Sequence, residues 1–190
     1  MQIAYEWLFP VLWTTWCACW LIASRHVKVA VKKETAASRL LHIIPLVLAV
    51  VLLWAPMQGV PVLGRHFMRS TVQGFWIGAA LTVAGLLFTA WARVVLGRNW
   101  SGIVTVKEGH ELITSGPYRL VRHPIYTGLL LAFTGSAIAR AEWCGVLAVA
   151  LVFAALWRKL RNEERWMREQ FGAAYDAYSQ RVSALVPGLL

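Results

Sequence analysis

Between Tyr118 and Tyr126 the chain gathers two tyrosines, Arg119, Arg122 and His123 around Pro124. Proline there can open a helix at its first helical position. A helix N-terminus favours anionic groups, because its free N–H groups and dipole point outward. The chemistry on offer is capture of an anionic or polar ligand beside an imidazole. A second reading stays open: an interfacial loop whose arginines touch phospholipid head groups.

A second group lies near the end of the chain. Leu160, Met167, Phe171, Tyr175, Tyr178 and Val182 fall on one stripe at about 100° per residue, with Arg161, Arg165 and Arg168 to one side. This predicts an amphipathic helix over Lys159–Val182, lying against the membrane or the bundle. Glu164 falls near the centre of the stripe and Glu163 on its flank. An acid facing a buried surface is costly unless it meets a cation or a donor. On the residues alone, Glu164 either pairs with Arg119 or Arg122, which the wheel slightly favours, or accepts from a ligand's hydroxyls or ammonium group.

The elements that must position these groups are apolar. Of 190 residues 58% are hydrophobic and 15% charged, with a mean hydropathy of +0.56. A soluble domain of this length could not cover so much apolar side chain. Five stretches lack Lys, Arg, Asp and Glu: Trp7–Ser24, Leu40–Gly64, Ser70–Ala92, Pro124–Ala139 and Trp143–Trp157. The first three reach the roughly 20 residues that a hydrocarbon core demands. The last two are short, and cross only with bilayer thinning or with snorkelling of Arg140 and Arg158. The expected fold is an all-α polytopic membrane protein of about five transmembrane helices plus the C-terminal amphipathic helix. It forms one integral membrane domain over 1–190, with three spans in 1–92 and the reactive part in 93–190. Pro45 and Pro56 are placed to kink the second span.

An N-terminus outside puts 16 basic residues in the inner connections and 3 outside, as the positive-inside rule requires. Trp7, Trp76, Trp91, Trp100, Trp143 and Trp157 sit near span ends, where an aromatic belt belongs. The excess of 19 Lys+Arg over 9 Asp+Glu therefore reads as topology and lipid contact, not nucleic-acid binding, for which no basic stripe exists away from the membrane flanks. Cys17, Cys19 and Cys144 lie in apolar stretches without zinc-like spacing, so no metal is expected. The chain opens without a signal peptide's basic region and cleavage site, and its composition suggests a bacterial inner membrane. Between spans three and four, Gly97, Gly102, Gly109 and Gly116 allow tight turns. Ile103–Val106 and Glu111–Thr114 read there as two short extended pieces.

Together these segments resemble the isoprenylcysteine carboxyl methyltransferase family, within the wider group that includes phospholipid N-methyltransferases. The resemblance rests on Gly109-His110-Glu111-Leu112-Ile113, Gly116-Pro117-Tyr118-Arg119, Arg122-His123-Pro124-Ile125-Tyr126-x-Gly128, Glu163-Glu164, Phe171-Gly172-x-x-Tyr175-x-x-Tyr178 and Arg181-Val182, closing with Pro187. It covers the chain from about Arg98 onward.

The resemblance implies methyl transfer from S-adenosylmethionine to a lipidated, prenylated or lipid-like acceptor, a carboxylate in the isoprenylcysteine case, on the cytoplasmic face. The implied cofactor contacts are His110, Glu111, Leu112, Ile113, Tyr118, His123, Pro124, Ile125, Tyr126 and Glu163. The family's arginine four residues before that glutamate is Lys159 here, flanked by Arg158. The implied catalytic pair is Lys159 and Glu163, with Arg158 and Lys159 toward the substrate. A lysine keeps the charge but loses the bidentate fork for a carboxylate. Rival readings are a phospholipid amine methyltransferase, a sterol C14-type reductase, for which the chain is short, and a non-enzymatic scaffold or small transporter. Against transport, the five stretches carry no ionisable Asp, Glu, Lys or Arg. Neither the acceptor nor the oligomeric state is legible.

Overall fold

The structure is a computed structural model, and it describes residues 2–24, 30–33, 35–57, 59–97, 105–107 and 112–189. Among these are six helices: α1 (Gln2–Ala23), α2 (Ala36–Trp54), α3 (Val72–Leu96), α4 (Pro124–Arg140), α5 (Trp143–Phe171) and α6 (Ala173–Arg181). Two short strands, β1 (Ala30–Lys33) and β2 (Thr105–Lys107), pair antiparallel. Among the described residues the regular structure is otherwise helical, apart from an isolated bridge between His66 and Glu142. Of the two extended pieces expected at Ile103–Val106 and Glu111–Thr114, the first overlaps β2, which pairs with the connection before α2, while Leu112–Thr114 carry no regular structure. Ile103, Val104 and Glu111 lie outside the described residues.

Three helices, α2, α3 and α5, are long and apolar enough to cross a membrane. At 22 residues α1 is long enough but less apolar, and α4 has 17 residues. The exposed face of α2 carries Leu40, Leu41, Ile44, Val47, Leu48 and Val51, an apolar surface of a kind that water does not tolerate.

Two sequence boundaries move, each for a local reason. The second helix ends at Trp54, not Gly64. Pro56 forces Ala55 into extended backbone (ψ 143°), since the residue before a proline avoids the helical region. Pro45 stays inside the helix. The expected separate helix over Lys159–Val182 is instead the continuation of α5, which runs unbroken for 29 residues, so the short fifth stretch belongs to a long helix. Gly172, at φ +50°, then turns the chain into α6. That backbone conformation suits glycine and few other residues.

The seam between α3 and α4 is made of glycine. A Cβ on Gly85 would stand 2.4 Å from the Gly128 carbonyl oxygen, and one on Gly78 would stand 2.5 Å from that of Gly135. Small residues let membrane helices approach this closely. Thr82, Thr89 and Ser136 line the same seam, fully buried. The Trp13 indole donates to Ser136 Oγ (3.2 Å), and that of Trp16 donates to Thr89 Oγ1 (2.7 Å). These bonds join α1 to the seam. Arg93 lies within α3, beyond the third uncharged stretch, and donates to the carbonyls of Ala23 (2.5 Å) and Gly97 (2.7 Å). Trp7, Trp76, Trp91 and Trp143 are exposed, as expected of a belt; Trp100 is outside the described residues.

Candidate active site

Pro124 opens α4 at its first turn, with His123 as the preceding cap residue. Behind it, Pro117 sits in a 3-10 turn over Gly116–Arg119. Two prolines and the positive φ of Gly116 (+59°) thus bend the chain so that Arg122 and His123 face the far end of α5. The tail closes over them. The N–H groups of Arg122 and His123 donate to the carbonyls of Ser183 (2.8 Å) and Ala184 (3.0 Å), and Thr127 Oγ1 donates to the carbonyl of Leu185 (2.7 Å).

The two motifs meet through side chains. Tyr126 Oη donates to Glu163 Oε1 at 2.6 Å. Arg122 donates through Nε (2.8 Å) and Nη2 (2.6 Å) to Glu164 Oε1. It also donates through Nη1 to the carbonyls of Ser179 (3.0 Å) and Val182. The salt-bridge reading of Glu164 is the one realised: this carboxylate is buried on Arg122, while Glu163 keeps a quarter of its side chain exposed. His123 stands between the two acids, with Nδ1 3.6 Å from Glu163 and Nε2 3.4 Å from Glu164. Its ring stacks on that of Tyr126 at 5.4 Å and 9°. Neither contact is a hydrogen bond, and Nε2 is a buried polar atom without one.

The imidazole, the 3-10 turn and the charged end of α5 lie outside the apolar stretches. Burial favours a neutral His123, but the two flanking carboxylates outweigh it and raise its pKa above the ordinary value. Burial likewise works against ionised glutamates. His123, Lys159 and Tyr126 nevertheless hold Glu163 below the usual range, and His123 and Arg122 hold Glu164 down to about 2. Both carboxylates are therefore charged at neutral pH, and His123 is biased toward its charged form.

Lys159 Nζ lies 4.0 Å from Glu163 Oε1 and 5.6 Å from the centre of the Tyr126 ring, so it belongs to the cluster. Arg158, one residue away, points elsewhere: its Nη2 donates to Ser38 Oγ on the first turn of α2 (3.1 Å). Consecutive helical residues stand about 100° apart, which separates the two. Pro124 and Tyr126 are buried and Ile125 is half-buried at the start of α4. Tyr118 is buried, and its carbonyl accepts from Tyr178 Oη at 2.6 Å. Leu112 and Ile113 are half-buried ahead of the 3-10 turn. His110 and Glu111 lie outside the described residues. Sequence reasoning missed the tail's contribution: Ser183, Ala184 and Leu185 act through backbone carbonyls, which no side-chain pattern announces.

A quarter-exposed carboxylate beside buried aromatic rings and an unsatisfied imidazole nitrogen suits a ligand with cationic and hydrogen-bonding groups. The chain is similar to several known proteins. Protein-S-isoprenylcysteine O-methyltransferase B of Arabidopsis thaliana is 29% identical over 130 residues, covering 64% of each chain. The fission yeast (Schizosaccharomyces pombe) protein-S-isoprenylcysteine O-methyltransferase is 31% identical over 102 residues, 50% of this chain and 42% of that one. The cobalt-zinc-cadmium resistance protein CzcN of Cupriavidus metallidurans is 35% identical over 126 residues, 65% of this chain and 56% of that one. The chain spans less than two thirds of the length of these relatives. A profile of the phospholipid methyltransferase family matches residues 74–174, which runs from the start of α3 through the cluster into α6, and the chain belongs to that family.

Proposed function

We propose that this protein is a membrane-embedded methyltransferase that uses S-adenosylmethionine to methylate a lipidated or lipid-like acceptor, a carboxylate of the isoprenylcysteine type. The carrying observation is the bond from Tyr126 to Glu163, which joins the α4 and α5 motifs into one cluster. In this reading the chain is one domain of five spans with its N-terminus outside. The cluster then faces the cytoplasm, at the inner membrane of a bacterium.

The residues present fit the cofactor. Glu163 offers a carboxylate on a side chain that is one-quarter exposed, His123 Nε2 a buried nitrogen without a hydrogen bond, and Tyr118, Ile125 and Tyr126 apolar surface. When bound, S-adenosylmethionine supplies a methyl group on a sulfonium, so the protein's task is alignment and exclusion of water. Tyr126 and His123 fix the orientation of Glu163. Lys159 provides a permanent cation 4.0 Å from Glu163, placed to attract a carboxylate acceptor arriving from the bilayer.

Such an acceptor is ionised near neutral pH and needs no general base. Lysine standing where the resembling family has arginine loses the bidentate fork for a carboxylate, which leaves an amine acceptor, as in phospholipid N-methylation, as the second reading. An amine must lose a proton, and Glu163, held below the ordinary carboxylate range, is a poor base. The carboxylate reading is therefore preferred. Labelled S-adenosylmethionine fed to membranes separates the two: methyl esters release label in mild base and N-methyl groups keep it. Glu163→Ala is expected to abolish S-adenosylmethionine binding by calorimetry while the protein stays folded in detergent. Unchanged affinity removes Glu163 from the site.

A further inference from the structure

Beyond Trp157 the helix α5 leaves its apolar stretch and presents Arg161, Arg165 and Arg168 along one face. A cleft of about 490 Å³ opens against them, lined also by Glu164 and Glu169. Glu164 is committed to Arg122. Arg168 is shared between Glu164 (3.6 Å) and Asp176 (3.4 Å) and lies over the Tyr175 ring. Arg161 and Arg165 are exposed and make no hydrogen bond or ion pair among the described residues. Two guanidinium groups one turn apart thus border a cleft whose two carboxylates, Glu164 and Glu169, form no ion pair with them among the described residues.

Their depth says what fills it. At about 1.5 Å per residue, Arg161 stands about 6 Å and Arg165 about 12 Å past Trp157. The headgroup layer is roughly 5–8 Å thick on each side of the hydrocarbon. Helical side chains lean toward the helix N-terminus, which for α5 is the direction of the bilayer. Both guanidinium groups are therefore directed back at the headgroups. Their planar forks match phosphate oxygens in pairs.

We propose that this face of α5 binds the phosphate of an anionic inner-leaflet phospholipid. The inference rests on α5 crossing the membrane, not on methyl transfer. It is tested on the full chain by native mass spectrometry from micelles holding phosphatidylglycerol and phosphatidylcholine in equal amounts. Wild type is expected to carry phosphatidylglycerol preferentially, and R161Q/R165Q to lose about tenfold or more of that occupancy. R69Q, which removes an exposed arginine at the opposite end of the molecule, should keep it. Equal retention of the two lipids, or unchanged retention in the double variant, overturns the proposal. So does displacement of the lipid by millimolar inorganic phosphate, which would mark a free-anion site. S-adenosylmethionine affinity measured on the same variants keeps the two readings apart: lipid lost with affinity intact leaves the methyltransferase reading standing.

Discussion

Two arginines, one at each end of α4, do similar work with different results. Arg140 donates to the carbonyls of Leu53 and Ala55, closing the end of α2, and pairs with Glu142 at 2.9 Å. Arg122 donates to the carbonyls of Ser179 and Val182, closing the end of α6, and pairs with Glu164. The acid at Arg140 is two residues away and fastens a turn. The acid at Arg122 is 42 residues away and fastens two segments together. The Arg122 end also adds a second carboxylate and a histidine between the acids. Charge is left over there after capping, and Glu163, His123 and Lys159 are that surplus.

Substitutions can break this contrast, beginning with the largest effect. Glu164→Leu strands a buried guanidinium and should cost about 3–5 kcal/mol in thermal or denaturant unfolding, with loss of S-adenosylmethionine binding. Glu142→Leu should cost less than half as much and leave binding intact, since of the two pairs only Arg122–Glu164 joins distant segments. Equal effects would erase the distinction. Gly85→Ala comes next. Its Cβ meets backbone, which cannot swing aside, so about 1–3 kcal/mol should be lost without direct injury to the cluster. Trp16→Phe removes one hydrogen bond inside the bundle and should cost only about 0.6 kcal/mol.

The finest distinction is one of pH. The folded pKa of His123 is raised, so its contribution is complete below the ordinary histidine value of about 6.5 and fades as pH rises through the folded value. Glu164 works in the other sense: its contribution is complete above the ordinary carboxylate range and is lost as pH falls toward about 2. Stability against unfolding in detergent should therefore fall at both extremes. His123→Phe should flatten the alkaline side; an unchanged alkaline slope would deny His123 its charge.

The chain's chemistry was legible where side-chain type and spacing carry it. The charge-free stretches located the apolar helices, the stripe placed Glu164 inward and Glu163 on its flank, and Pro124 marked the start of α4. What escaped was carried by backbone. Gly172 divided what read as one amphipathic helix because its positive φ has no signature in hydropathy. The β1–β2 pairing joins two connections far apart in sequence, and periodicity reports only local order. Lys159 and Arg158, read together as substrate-facing, separate in space because one faces Tyr126 and the other the first turn of α2.

The closing of residues 183–185 over 122–127 has a consequence for biogenesis. A ribosome releases α4 well before the segment that latches its first turn, so Arg122 and His123 must wait with their final acceptors not yet made. The bundle can insert and pack early, whereas the cluster assembles only after residues 183–185 have been made. Chains released prematurely should insert normally yet never acquire ligand affinity.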